Sequence, residues 1–503
     1  MGEVLPSLSR ALKVMKSQSV FSKSVRGSTY NIAVSAITIV LGFIRSVLLM
    51  RLLAPDQFGI VALALFWVTF LRSFSTIGID HALIQCLNPA KETFSTHFIL
   101  RLILALIILL LGILVSPFLR WAYADQAIVV DVFLVFLSIN VFTASFSTPS
   151  AMLRRDMRFG AMALLNLLSS LAMTITVPLL AYLGAGLWSL VAEQAIGPIV
   201  RFVGFWAFLR PWRLSLHFDW DKAKGLLKFG RHVLSANVLG ILLDRFDDFW
   251  VGTALGTTPL GYYSRAYDVA QYPERVLAKP ITSVVFSSYA ALQDDRERLS
   301  KLFFRANSFL VRTGFLLAAV LIVVAREATV IVFGEIWLPI VPVFRLMMVY
   351  VLLNPLYNNL SYLMIAVGRP NLLSRTRLLQ AAIFVLSVIG LAWLWQINGV
   401  AVAADLMILS GTIVLTAHSY RFVRYSLHRM FLWPAVAAIV SVVIGYLLSQ
   451  HVQWTGLWGA LILKTLSISG MYILILFLVE RHLIREYGAQ IVRPLLNQFR
   501  TWT

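Results

Sequence analysis

From residue 28 to about residue 479 the chain alternates between apolar runs of roughly 20 residues and short polar connections. A run of that length is what an α-helix needs to cross a hydrocarbon layer of about 30 Å. The runs fall at about 28–50, 58–77, 98–119, 128–150, 161–182, 187–208, 232–255, 259–290, 306–325, 341–367, 378–395, 399–418, 431–449 and 456–479. The pattern predicts an all-α polytopic membrane protein with about 14 transmembrane helices.

The pattern also repeats. Leu53-Ala54-Pro55-Asp56-Gln57-Phe58-Gly59, followed by Ala62 and Ala64, is echoed by Leu255-Gly256-Thr257-Thr258-Pro259-Leu260-Gly261, followed by Ser264 and Ala266. Each joins the first and second helix of a six-helix set. A weaker echo, Arg154-Arg155-Asp156-Met157-Arg158-Phe159 against Gly368-Arg369-Pro370, joins the fourth to the fifth at an offset of about 210. The predicted organisation is a basic segment (1–27), an N-lobe of helices one to six (28–209), a linker (210–231), a C-lobe of helices seven to twelve (232–418), helices thirteen and fourteen (419–479) and a tail (480–503). Each lobe holds an even number of spans and so enters the membrane in the same orientation. That implies a pseudo-twofold axis along the membrane normal, with a central cavity between the lobes.

Composition agrees with the membrane reading: 59% of residues are apolar and 13% charged, against roughly 25% charged in a soluble domain. The net charge of +20 raises the question of nucleic acid. Its distribution decides otherwise: 29 Lys and Arg lie in alternate connections and termini on one side and three (Arg51, Arg120, Arg326) on the other. Basic residues spread over eight short segments form no groove interleaved with aromatics, so no nucleic acid is expected. The positive-inside rule puts both termini in the cytoplasm of a cell inner-membrane protein. Basic residues precede the first run but no small-residue cleavage site follows, so it reads as a retained helix. The lone Cys86 offers neither a disulfide nor a thiolate cluster, and no metal or cofactor is expected.

Helices seven and eight break the apolar rule. They carry Asp244, Arg245, Asp247, Asp248, Arg265, Asp268, Glu274, Arg275 and Lys279. At roughly 3 kcal/mol for each charge at bilayer depth, lipid exposure would cost on the order of 25 kcal/mol, more than a typical folding stability. These residues must face water or one another. Arg265, Asp268, Tyr272, Arg275, Lys279 and Ser283 recur at helical steps and form one stripe. Asn31, Ser35, Thr38, Gly42 and Arg45 form another on helix one, and Tyr350, Asn354, Tyr357, Asn358 and Ser361 a third on helix ten. Pro273 and Pro280 should bend helix eight beside its charges. Arg72, Arg101, Arg201 and Arg312 lie near helix ends, where snorkelling suffices. Asp131, Glu193, Asp405 and Lys464 read as isolated.

At its motifs the chain resembles the polysaccharide-transport, or Wzx-like, oligosaccharide flippases of the multidrug/oligosaccharidyl-lipid/polysaccharide exporter superfamily. The residues that carry the resemblance are Arg51 to Gly59, Gly78-Ile79, Leu153 to Phe159, Gly184-Ala185-Gly186-Leu187-Trp188-Ser189-Leu190, Leu226 to Gly230, and Gly261-Tyr262-Tyr263-Ser264-Arg265-Ala266. The resemblance implies two six-helix lobes around a cavity, with alternating access for a polyprenyl-diphosphate-linked oligosaccharide, and no catalysis. It also implies membrane lipid, a polysaccharide polymerase and glycosyltransferases as partners.

A diphosphate needs guanidinium or ammonium groups in a low-dielectric cleft. Arg45, Arg265, Arg275 and Lys279 are the candidate bases. Asp244, Asp247, Asp268 and Glu274 are candidate balancing or coupling acids, and Asn31, Thr38, Tyr272, Asn354 and Asn358 candidate polar lining. A multidrug or metabolite cation antiporter is the rival, although helices one and eight carry more bases than acids. A membrane glycosyltransferase or polymerase is a further alternative, disfavoured by external connections no longer than roughly 15 residues. No Gly-rich Lys-Ser/Thr phosphate loop occurs, which argues against ATP-driven transport within the chain.

Overall fold

The computed structural model describes residues 34–481, apart from 76–77, 87–89, 211, 213–214 and 452–455. Asn31 therefore lies outside the described residues, as does the side chain of Ser283. All regular structure among the described residues is helical. The long helices are α1 (Val34–Leu52), α2 (Pro55–Ser75), α4 (Lys91–Ala122), α5 (Ile128–Ala144), α7 (Phe159–Leu180), α8 (Leu187–Val203), α9 (Trp220–Ala254), α12 (Arg296–Val332), α14 (Met348–Ala366), α15 (Pro370–Ser419), α16 (Leu427–His451) and α17 (Gly456–Val479). Shorter helices are α3 (Ile79–Gln85), α6 (Ser147–Arg155), α10 (Thr257–Ala270), α11 (Lys279–Ala291) and α13 (Ile340–Leu346).

Among the described residues nine helices are long and apolar enough to cross a membrane, or 11 if the bent pairs α5–α6 (47°) and α13–α14 (40°) each count as one span. The expected count of about 14 is not reached, for two physical reasons. α15 runs unbroken for 50 residues apart from a kink at Trp395 and Gln396 (φ −128° and 51°), and so contains both expected helices eleven and twelve. Expected helices seven and eight are α9, which is too polar, and α10 with α11, each too short. Leu114 (75% exposed) and Leu386 (72%) illustrate the apolar side chains left facing outward, as a lipid solvent permits.

Contacts divide the chain into two compact units, Met1–Ser264 and Arg265–Thr503. The division falls inside expected helix eight, later than the 210–231 linker, because α9 packs with α2, α3 and α4. In the first unit α2 also lies against α5 and α8. It meets the start of α10 at a very close crossing. A Cβ added to Gly59 would sit 1.8 Å from the Thr257 carbonyl oxygen, and one added to Gly261 would sit 1.8 Å from the Pro55 carbonyl oxygen. Pro55 and Thr257 hold the same place in the two copies of the repeat, as do the two glycines. The contact is reciprocal, as a local twofold axis requires.

In the second unit α14 packs on α11, α12 and α15. The final pair, α16 and α17, packs on α12 through Ala319, Val323, Ala437, Ala438, Ile468 and Tyr472. Two ion pairs reinforce it: Lys464 Nζ to Glu327 Oε1 at 2.6 Å, and Arg312 to both carboxylate oxygens of Glu480 at 2.8 and 2.6 Å. The Tyr472 hydroxyl donates to the Arg312 carbonyl at 2.8 Å.

The weaker sequence echo is a shared turn. The Arg158 N–H donates to the Leu153 carbonyl at 2.9 Å, and the Arg369 N–H to the Met364 carbonyl at 2.8 Å. Met157 (φ 53°) and Gly368 (φ 72°) hold the left-handed position of these helix-ending motifs. The Gly184-Ala185-Gly186 motif is a turn of the same logic, with positive φ at Gly184 (89°) and Gly186 (52°) before α8 begins. One further correspondence had no motif to reveal it. α4 and α12 are each followed by a single 3₁₀ turn, Ala124–Gln126 and Glu335–Trp337, leading into a bent helix pair.

Candidate functional site

The charged stripe of helix eight sits on a broken helix. α10 ends at Ala270, the backbone turns at Gln271, and Glu274–Ala278 wind more widely, with the Lys279 N–H reaching back to the Glu274 carbonyl. Pro273 and Pro280 cannot donate the bonds a regular helix would use there, and the regular ladder is interrupted between them. On this segment Arg265 Nη2 lies 2.6 Å from Asp268 Oδ2, and Arg275 Nη2 lies 3.5 Å from Asp268 Oδ1. Arg275 also donates to Gln271 Oε1 at 2.9 Å and rests over the Tyr272 ring, 5.5 Å from its centroid. The Glu274 carboxylate turns the other way, toward α14, where it accepts from the side-chain amides of Asn354 and of Asn358 (3.1 Å).

In the second unit, then, the structure brings together Arg265, Asp268, Tyr272 and Arg275 as one group and Glu274, Asn354 and Asn358 as another. Lys279, exposed at the start of α11, has no hydrogen-bond or ion-pair partner among the described residues. Asp268 serves two guanidinium groups, and Lys279, one turn on, lies within electrostatic reach of Glu274, so three bases meet two acids and the row keeps a net positive charge.

The remaining candidates lie in the first unit and are arranged differently. Arg45 Nε is held by Glu193 Oε1 at 2.8 Å, both side chains being largely buried. Thr38 Oγ1 donates to the Ser35 carbonyl within its own helix. Asp247, expected to line a cavity, is buried (4% exposed) and accepts from the Tyr263 hydroxyl at 2.6 Å. Its neighbour Asp248 takes Arg245 Nη1 at 2.8 Å, while Asp244 remains exposed.

All four residues read as isolated have partners. Glu193 pairs with Arg45 and Lys464 with Glu327. Asp131 pairs with Arg120 at 2.5 Å, and Asp405 accepts the Tyr350 backbone N–H at 2.9 Å. Their sequence separations, 148 residues for Arg45 and Glu193 and 137 for Lys464 and Glu327, put these contacts beyond any spacing argument.

A family model described as polysaccharide biosynthesis protein matches residues 48–342, more than half of the chain and all of the segment from α2 to α12. The chain belongs to this family. It is 26% identical over 467 residues to the succinoglycan biosynthesis transport protein ExoT of Rhizobium meliloti, covering 89% of this chain and 91% of that one. It is 24% identical over 377 residues to the lipopolysaccharide biosynthesis protein WzxC of Escherichia coli, covering 74% and 75%. Among solved structures it is similar to the lipid II flippase MurJ in an inward closed conformation, with a TM-score of 0.74 at 14% identity over 90% of this chain and 99% of that one. This family member therefore has the transporter fold of that structure, built from membrane-crossing helices.

Proposed function

We propose that the protein is a flippase that moves a polyprenyl-diphosphate-linked oligosaccharide from the cytoplasmic to the outer leaflet of the inner membrane, by alternating access, for surface polysaccharide assembly. Family membership and the relatives named for polysaccharide biosynthesis and transport support the substrate class. The observation that carries the reading is the net positive row on the broken helix, the three bases Arg265, Arg275 and Lys279 against the two acids Asp268 and Glu274. A diphosphate offers oxygens that compete with Asp268 for the two guanidinium groups, while Lys279 supplies a third cation that makes no hydrogen bond among the described residues. Arg45 gives its Nε to Glu193 and keeps Nη1 without a partner among the described residues. The Glu274–Asn354–Asn358 group holds the broken helix to α14.

The 29 to 3 asymmetry of basic residues supports cytoplasmic termini and a cytoplasmic 210–231 connection. A polymerase and glycosyltransferases that make and consume the lipid-linked chain are the expected partners.

The test is transport itself. Proteoliposomes carrying the purified chain should expose a lipid-linked oligosaccharide to an external glycosidase faster than empty vesicles. Depletion in cells should accumulate the same intermediate on the cytoplasmic face. Exposure at the rate of empty vesicles, with correctly inserted protein, refutes the proposal.

A further inference from the structure

A second group of arginines, in the first unit, surrounds one acid. Asp80 on α3 receives two groups from α4, Arg101 Nε at 3.3 Å and His97 Nε2 at 3.2 Å. His97 is fully buried, with Nδ1 2.8 Å from Thr148 Oγ1 on α6, and Arg101 Nε also lies 3.2 Å from Ser147 Oγ. Arg72, in the last turn of α2, is within electrostatic reach of both Asp80 and Arg101. Arg154, in the last turn of α6, is within reach of Asp80 and of Arg201, in the last turn of α8. α2, α6 and α8 finish where α4 begins, so these side chains converge at one end of the unit.

Three guanidinium groups, those of Arg72, Arg101 and Arg154, thus share one carboxylate, and a fourth, that of Arg201, stands beside Arg154 with no acid near it among the described residues. Arg154 and Arg201 have no hydrogen-bond or ion-pair partner among the described residues, and the Nε of Arg201 is buried without one. An arginine in the last turn of a helix ordinarily complements the helix carbonyls or snorkels to water, which accounts for each residue singly. It does not account for Arg201, whose Nε is buried without an acceptor beside the like charge of Arg154, since a buried N–H left unmade is costly and like charges repel. Arg72 and Arg154 keep exposed surface, so the cluster is reachable from outside. A group with several anionic oxygens, able to take more than one guanidinium fork, satisfies both conditions.

We propose that this cluster is a binding site for a phosphate group, with Arg154 and Arg201 as the open donors and Arg101 fixed behind them by Asp80. The phosphate comes either from an anionic lipid headgroup or from a soluble anion. The site lies on elements other than the charged row of α10 and α11, and its occupancy is read without transport, so its failure and that of the flippase reading are separable.

The test follows thermal unfolding of the purified full chain in detergent, titrated with inorganic pyrophosphate or with short-chain phosphatidylglycerol. Sodium chloride at equal ionic strength and neutral dioctanoylglycerol are the controls. The wild type should show a saturable rise in midpoint. Arg154→Gln and Arg201→Gln should each weaken half-saturation about tenfold, the loss of one charge-assisted contact. Without ligand both variants should unfold at or above the wild-type midpoint, because repulsion is relieved. Because the row of α10 and α11 is proposed to bind diphosphate too, the response is read from the variants: one to pyrophosphate that Arg154→Gln and Arg201→Gln weaken identifies a soluble anion, one to phosphatidylglycerol alone that they weaken identifies a headgroup, and either supports the site. No saturable rise in the wild type, a wild-type response in both variants, or an unliganded variant that unfolds lower would overturn it, the last by making the arginine a structural tie.

Discussion

Gly59→Ala tests the reciprocal crossing of α2 and α10. The new Cβ would stand 1.8 Å from the Thr257 carbonyl oxygen, against an ordinary contact of about 3.3 Å, so the two backbones must part by roughly 1.5 Å. The obstacle is backbone and cannot swing aside as a flexible side chain would, which places the cost near the top of the 1 to 3 kcal/mol range for overpacking. An unfolding entropy of about 2.1 cal/mol/K per residue comes to roughly 1 kcal/mol/K for 503 residues, so the midpoint should fall by about 3 °C. Gly261→Ala meets the Pro55 carbonyl in the same way and should cost the same. Once one alanine has parted the helices the other is accommodated, so the double variant should fall by about 3 °C and not 6, a coupling of 2 to 3 kcal/mol. Differential scanning fluorimetry on the four proteins measures the cycle. Singles that unfold with the wild type, or a double variant that is fully additive, would refute the crossing.

Other outcomes follow from the same geometry. In glycan export, Arg275→Lys should keep partial activity while Arg275→Ala loses about ten- to a hundredfold; full recovery by adding Asp268→Asn would make Arg275 a counter-ion only. Lys464→Met leaves Glu327 buried and uncompensated and should destabilise by about 3 to 5 kcal/mol, whereas Lys464→Met with Glu327→Leu should recover most of that in the same thermal assay. Met157→Gly removes a side chain from a left-handed position and should be neutral or stabilising by up to about 1 kcal/mol, in contrast to Gly368→Ala, which should destabilise. A cysteine placed at Lys222 should resist a membrane-impermeant thiol reagent applied from outside the cell; rapid labelling would overturn the proposed orientation.

What could be read ahead from the chain was whatever glycine, proline and hydropathy punctuate. The repeat around Gly59 and Gly261, the turn at Gly184 to Gly186 and the interrupted ladder between Pro273 and Pro280 are visible because each imposes a backbone conformation locally. The break within α15 falls at Trp395 and Gln396, where the apolar run was divided, although the helix resumes without a loop. Contacts across long separations were hidden: Glu193 has nothing in its own segment to mark Arg45 as its partner, and Asp247 lies on the same charged helix as Asp244 yet is turned inward by Tyr263. The arginine cluster was missed for a different reason. Asp80 sits in a seven-residue helix inside what hydropathy presents as a connection, so Arg72, Arg101 and Arg201 looked like three separate helix ends.

The buried pair between α12 and α17 bears on how the chain is made. Glu327 is synthesised 137 residues before Lys464, the one ion-pair partner recorded for it among the described residues. Until the last helix arrives, the Glu327 carboxylate lacks the ammonium it is buried against and must be protonated or face water. The final helix is therefore the last piece α12 waits for: a chain that stops short of α17 keeps Glu327 without its counter-ion, so α12 reaches its finished packing only when the chain is complete.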